Sequence, residues 1–401
     1  METRSGALPE EREFDAAINT LTTRAMHTWE NSPADFPPGM PKYRRSEKGA
    51  NEKRILRVLD DPDKQRDLQT LFRDPGKITG STLRRLAITD LFVLPDGGDT
   101  ATPPSGRFAD ATADFVSMAR RFDPHIPSGQ LAQALRNLWV FCSFQYLADF
   151  PISVTPSAVA YSLLYPYTDN YIDDKAVSPD RKKRFGKRIE IELQSPGQEP
   201  EDEREAAVFA LIAMIAEEFP RAEHPLVHKS LLAIHAAQCS SIGQQDAAAI
   251  PDLLRISMMK GGTSVLADAL IAGSVKDRGW LEMAFEYGCV LQLVDDLQDA
   301  AKDSELGHRT LFATERYPQS LEYESLHLIK FLYDLVPSWE VPVRRNRPSF
   351  PDMMVGSCSF LIFEAVARAR TFFSPSFLRR LDSHAPVHLD FLASLRERAQ
   401  R

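Results

Sequence analysis

Residues 288–299 read GCVLQLVDDLQD. An apolar, helix-patterned run ends here in Asp295, Asp296 and Asp299. Like charges one turn apart destabilise a helix by about 0.2–0.5 kcal/mol per pair, so the sequence accepts a cost at this point. A cation at the helix end would remove it. Working outward, Phe285, Gly288, Gln292, Asp295 and Asp299 are spaced 3, 4, 3 and 4 apart, which places them in one stripe of a helix expected from about Gly279 to Lys302. Asp296 lies beside that stripe. The wall runs from aromatic to amide to carboxylate, and a magnesium ion binds through one or two carboxylates plus water and substrate phosphates.

A second acidic stretch repeats the arrangement. In YPYTDNYIDD, residues 165–174, Asp169 and Asp173 stand at i and i+4, Asp174 is adjacent and Tyr165 is one turn below Asp169. Pro166 removes a helix hydrogen bond and can kink the segment that Thr155 and Pro156 open. By contrast LDDPDK, residues 59–64, is broken by Pro62 and follows no apolar stripe, so it reads as a turn.

The rest of the chain sets bounds. With 401 residues, 43% apolar and 26% charged, it is long enough for one large core or two smaller ones. A net charge of -8 argues against a surface built for nucleic acid, which needs clustered positive charge. Cys142, Cys239, Cys289 and Cys358 are far apart in apolar surroundings, which reads as buried thiols in a reducing, cytoplasmic compartment. The N-terminal METRSGALPEEREF has no apolar signal region, and the run AAVFALIAMIA at 206–216 is too short to span a bilayer, so no membrane anchor is expected. Helix signals dominate from about Phe108. Ser128, Thr155, Ser178 and Ser374 are candidate N-caps, the last three followed by proline. Val208, Leu211, Ile212 and Ile215 form a core-facing stripe. The chain reads as all-α, with a proline-rich N-terminal extension carrying short helices over 1–107 and a helical domain over 108–401.

GCVLQLVDDLQD is similar, at matching spacing, to the second aspartate-rich motif of the class I isoprenoid synthases, the family of polyprenyl diphosphate synthases, terpene cyclases and squalene or phytoene synthases. DNYID at 169–173 resembles a variant of that family's first DDxxD motif, with Asn170 in its second place. MMKGGTSVLADAL at 258–270 resembles the lysine and threonine segment that precedes the second motif, with Lys260 and Thr263 in those roles. The resemblance covers roughly residues 110–315. It implies a single helical bundle with a central active-site cavity, in which two facing helices hold a cluster of magnesium ions that grips an allylic prenyl diphosphate. The metal ligands would be Asp169, Asp173, Asp174, Asp295, Asp296 and Asp299. Lys260, Thr263, Gln292 and Arg309 would meet the substrate, and Tyr165 and Phe285 would line the cavity wall.

Departures from the pattern choose among branches of the family. The early glycine-glycine-lysine-arginine stretch with which chain-elongating synthases hold a second diphosphate has no counterpart before Asp169. The asparagine, serine and glutamate triad of many cyclases is absent as well. The resulting expectation is a terpene synthase on a polyprenyl-synthase-like frame, with homodimerisation compatible with that frame. Polyprenyl chain elongation and a non-catalytic partner subunit are the alternatives. The basic run DRKKRFGKR at 180–188 is either a solvated helix face or a phosphate contact.

Overall fold

Three of the four expected N-caps form as the sequence indicates. The hydroxyl of Thr155 accepts from the backbone of Ala158 at 3.2 Å, Ser178 from Arg181 at 3.4 Å and Ser374 from Phe377 at 3.2 Å. Each is followed by proline at the first helical position, whose missing N–H costs nothing there. The fourth shifts by one residue. Pro127 occupies the cap position with φ -61° and ψ 139°, and Ser128 is already inside the helix. Proline's fixed φ suits the cap, and Leu131 bonds back to its carbonyl at 3.0 Å.

The computed structural model describes residues 6–60, 105–174, 176–242, 249–314, 316–339 and 350–400. Among them the regular elements are all helical. In chain order the α-helices are α1 (Phe14–Asn31), α2 (Arg45–Leu59), α3 (Ser105–Phe122), α4 (Ser128–Leu147), α5 (Pro156–Asp173), α6 (Pro179–Gln194) and α7 (Glu203–Glu218). They continue as α8 (Pro225–Ile242), α9 (Ile250–Ile271), α10 (Arg278–Leu306), α11 (Leu321–Leu335), α12 (Phe350–Arg368), α13 (Pro375–His384) and α14 (Leu389–Gln400). Among the described residues no helix is long and apolar enough to cross a membrane.

Two compact units share these helices: one comprises residues 1–23 and 110–289, the other 24–109 and 290–401. These limits differ from the boundary expected near residue 107. An 18-residue helix, α1, lies in the stretch read as irregular with short helices. Its Phe14, Ile18, Leu21, Ala25 and Trp29 are buried at helical spacing. Residues 61–64 of LDDPDK lie outside the described residues.

In the first unit α5 packs against α4 and α7, and α8 against α6 and α9. Pro166 is accommodated within α5, which runs unbroken in assignment from Pro156 to Asp173. α9 and α10 approach closely. A Cβ on Gly288 would overlap the carbonyl oxygen of Gly261, and one on Gly262 would lie 2.6 Å from the Phe285 ring. The glycine that opens the decisive motif lets α10 touch the helix bearing Lys260.

In the second unit α12 packs on α11 and α14, and α2 on α14. Polar ties fix α2 to the C-terminal region. Buried Lys48 pairs with the Asp382 carboxylate at 2.7 Å, His388 Nδ1 lies 2.7 Å from Glu52, and Asn51 donates to the Pro386 carbonyl at 2.9 Å. None of the four cysteines forms a disulfide, and three of them are buried.

Candidate functional site

In the first unit, α5 and α9 bring two expected site residues together. Lys260 Nζ lies 3.0 Å from Asp169 Oδ1, with the lysine side chain 17% exposed and the aspartate side chain 7%. Both charges are therefore largely withdrawn from water, where an unmatched one would be costly. The other groups around Asp169 have separate partners. Asn170, the departure from the DDxxD pattern, makes a reciprocal amide pair with Gln133, at 3.0 and 3.3 Å. Tyr167 donates to Asp123 at 2.5 Å.

The end of α5 separates its acids. Asp173 is the last residue of the helix, and its side chain lies outside the described residues. Asp174 is the C-cap in extended conformation, is exposed, and accepts from the Ala176 N–H at 2.8 Å. Its carboxylate closes a turn and leaves the helical stripe.

The remaining expected residues of this unit are mostly core. Thr263 is fully buried, with its hydroxyl donating to the Met259 carbonyl at 2.6 Å. Phe285 is fully buried against Gly262. Tyr165 lines a cavity of about 40 Å³ with Tyr161, Thr168, His235, Gln238 and Ser264. Ligand pockets hold about 300–1,000 Å³, so this space suits a water or two and not a prenyl chain. Three cations of the basic run of α6 are matched by acids: Arg184 pairs with Glu201 at 2.5 Å, Arg188 with Glu205 at 2.9 Å and Lys187 with Glu190 at 2.8 Å.

In the second unit, α10 presents the other acidic stretch. The helix is buried nearly all round from Trp280 to Leu297 and becomes exposed from Ala301, so the aspartates sit at the transition. Asp296 is 6% exposed and accepts from Gln292 Nε2 at 2.8 Å. Asp295 and Asp299 are half-buried, and Lys302 Nζ is 3.8 Å from Asp299. Arg309 is half-buried in the segment after the helix.

One acid here was missed in the sequence. Asp303 follows Asp299 by four residues, continuing the 295, 299 spacing, because α10 runs one turn beyond the expected end at Lys302. Burial, and then the charges of Asp296, Asp299 and Asp295, raise its pKa to about 7 against the opposing effect of Lys302. The His308 Nδ1 stands 3.8 Å away.

Among the described residues no group of three or more histidines, cysteines, aspartates or glutamates is placed to hold a metal ion. The donor set of α10 nevertheless fits a hard cation in kind. Its ligands are carboxylate oxygens, the chemistry magnesium selects. Burial, and then their charges, raise the pKa of Asp303 to about 7. No protein-family model, curated protein or solved structure matches the chain.

Proposed function

We propose that the chain is a class I terpene synthase that ionises an allylic prenyl diphosphate and releases a terpene hydrocarbon or alcohol with inorganic diphosphate. The observation that supports this most is the acidic end of α10, where burial and then the charges of Asp296, Asp299 and Asp295 raise the pKa of Asp303 to about 7. Acids that are merely solvated on a surface helix are not shifted in this way.

In this reading Asp295 and Asp299 on α10 hold magnesium, with Asp296 as a further oxygen donor, and on α5 Asp169 does so, with Asp173 and Asp174 as further donors. Magnesium supplies Lewis acidity that neutralises the departing diphosphate. Gln292 orients Asp296 through its 2.8 Å hydrogen bond. Lys260 and Arg309 supply positive charge for the diphosphate, and Thr263 holds its own turn of α9. Phe285 acts behind the wall, keeping α9 and α10 in contact through Gly262. Consumption of one diphosphate, and not two, is favoured by the pairing of Arg184, Arg188 and Lys187 with glutamates, which leaves those cations matched already. Reaction of a single allylic substrate gives the cyclase outcome.

The test is incubation of purified protein and magnesium with prenyl diphosphates of increasing length, with and without the homoallylic diphosphate. Diphosphate release with a hydrocarbon or alcohol product is expected without the homoallylic partner, and Asp295→Ala and Asp299→Ala should abolish it while remaining folded. A longer prenyl diphosphate made only when the homoallylic partner is added would replace cyclisation by elongation. Full turnover in either alanine variant would remove the metal assignment.

A further inference from the structure

The end of α5 that carries Asp169 and Asp173 is tied down from outside the helix. Pro166 has no N–H, so the helix lacks a backbone bond one turn before Asn170. Two side-chain ties follow at once. Tyr167 donates to Asp123, which lies between α3 and α4, at 2.5 Å, and Asn170 exchanges two bonds with Gln133 on α4, at 3.0 and 3.3 Å. At roughly 100° per residue, Tyr167 and Asn170 share one edge of α5, about 60° apart, while Asp169 lies about 100° from Asn170 and about 160° from Tyr167. Asp169 accordingly reaches another way, to Lys260 on α9 at 3.0 Å. Anchoring one edge of these turns sets the rotation at which Asp169 is presented. The residue type at 170 matters, because each amide offers both a donor and an acceptor. A carboxylate there could only accept, which would leave the Gln133 oxygen without the donor it has at 3.0 Å.

We propose that Gln133 and Asn170 are positioning residues, whose amide pair fixes the rotation of the last turns of α5 and with it the aim of Asp169. Position 170 then holds a strut in the place where the DDxxD pattern has an acid. The inference rests on the proposed function, since it takes Asp169 as a metal ligand. Neither amide touches the cation, and both act through Asp169. Groups that orient a metal ligand carry about 10–100-fold of metal affinity. A strut that acts through a turn of helix belongs at the lower end of that range.

Two measurements on the full chain test this without turnover: manganese titration by electron paramagnetic resonance, and backbone amide exchange over residues 167–173. Wild type should bind manganese in a way that Asp169→Asn weakens. Gln133→Met keeps the length of the side chain, removes both bonds to Asn170 and leaves every charge in place. It should weaken manganese about ten-fold and speed exchange over 167–173. In the Asp169→Asn background the same substitution should have no further effect on manganese, which locates the loss at this carboxylate. Gln133→Asn combined with Asn170→Gln rebuilds the amide pair at the same combined length, and should recover most of the affinity that either single exchange loses. Gln133→Asn alone, too short to span the pair, serves if the methionine variant is poorly folded. Thr112→Val removes the acceptor of Trp139 on the same helix, at 3.0 Å, and should leave manganese affinity unchanged.

Either readout unchanged in folded Gln133→Met, or a double exchange no better than its singles, would overturn the inference, while Asp169-dependent manganese binding would leave the proposed function standing. An equal loss in Thr112→Val would overturn it too, by reducing the pair to general packing of α4. Absence of Asp169-dependent manganese binding in wild type would remove the α5 half of the proposed metal assignment, and the inference with it.

Discussion

At the scale of single residues the two acidic stretches respond to mutation differently, because Asp169 is paired with a largely buried lysine while the α10 aspartates stand one turn apart from each other. Asp169→Ala leaves Lys260, 3.0 Å away and largely buried, without its carboxylate. Breaking a buried pair from one side costs about 3–5 kcal/mol, and the partial exposure of the lysine places this site towards or below the lower end. Asp174→Ala loses only an exposed hydrogen bond to Ala176, worth about 0.5–1.5 kcal/mol. Asp295→Ala and Asp299→Ala remove one of several repelling charges and should leave stability unchanged or raise it by a few tenths of a kcal/mol, about the size of one like-charge pair. Urea denaturation of the four variants checks the ordering, and equal stability of Asp169→Ala and wild type would mean that the ion pair contributes nothing. The difference matters for reading activity. Loss of the proposed turnover in the α10 variants would report chemistry, whereas in Asp169→Ala it would mix chemistry with folding.

At the scale of elements, the contact between α9 and α10 should tolerate nothing larger than glycine at position 288. In Gly288→Ala the new methyl would overlap Gly261 backbone, and forced repacking costs about 1–3 kcal/mol. Gly49 lies inside α2 with nothing within 4 Å of its missing Cβ, so Gly49→Ala should stabilise by about 0.4–1 kcal/mol. Thermal midpoints of the two variants should move in opposite directions, and a neutral Gly288→Ala would show that the helices do not touch there. The existence of α10 and the stripe Phe285, Gly288, Gln292, Asp295, Asp299 was legible because a 3.6-residue period is written in consecutive residues. Asp303 obeyed the same spacing and could have been found by continuing it one turn. The period of α1 was equally visible at Phe14, Ile18, Leu21, Ala25 and Trp29, but the prolines that follow drew the whole region into an irregular reading. The Lys260–Asp169 and Asn170–Gln133 pairs were not legible. Each joins helices far apart in sequence, and no local pattern encodes which side chains meet across a packed interface. The same limit applies to Thr263 and Phe285, whose positions by motif say nothing of how deeply they are buried.

At the scale of the whole molecule, burial of ionisable groups sets how stability follows pH. Asp268, Asp303 and Glu324 all have carboxyl pKa values raised chiefly by burial, Asp303 and Glu324 to about 7. His228, His235, His327 and His384 are held below the ordinary histidine value, again chiefly by burial. The two sets act in opposite directions. A carboxyl whose folded pKa exceeds its unfolded value contributes stability fully below the unfolded pKa, and that contribution is lost as pH rises through the folded value. A histidine with a depressed folded pKa contributes stability above its unfolded pKa and loses it as pH falls through the folded value. The overall profile is therefore a sum, and a single substitution separates the carboxylate part. Glu324 is the suitable probe, being 7% exposed on α11 and remote in sequence from every proposed metal ligand. Its folded value of about 7 against 4.5 corresponds to at most about 3 kcal/mol between pH 4 and 8, at 1.36 kcal/mol per unit. Glu324→Gln carries no charge at any pH, so its stability relative to wild type should rise from about pH 4.5, where the unfolded wild-type chain begins to ionise, and level off above about pH 7, where the folded carboxyl ionises too. Chemical denaturation from pH 4 to 8.5 should show the gap between the two stability curves changing in favour of Glu324→Gln between about pH 4.5 and 7 and constant above that, and curves that run parallel throughout would mean that Glu324 ionises in the folded protein as readily as in the unfolded chain.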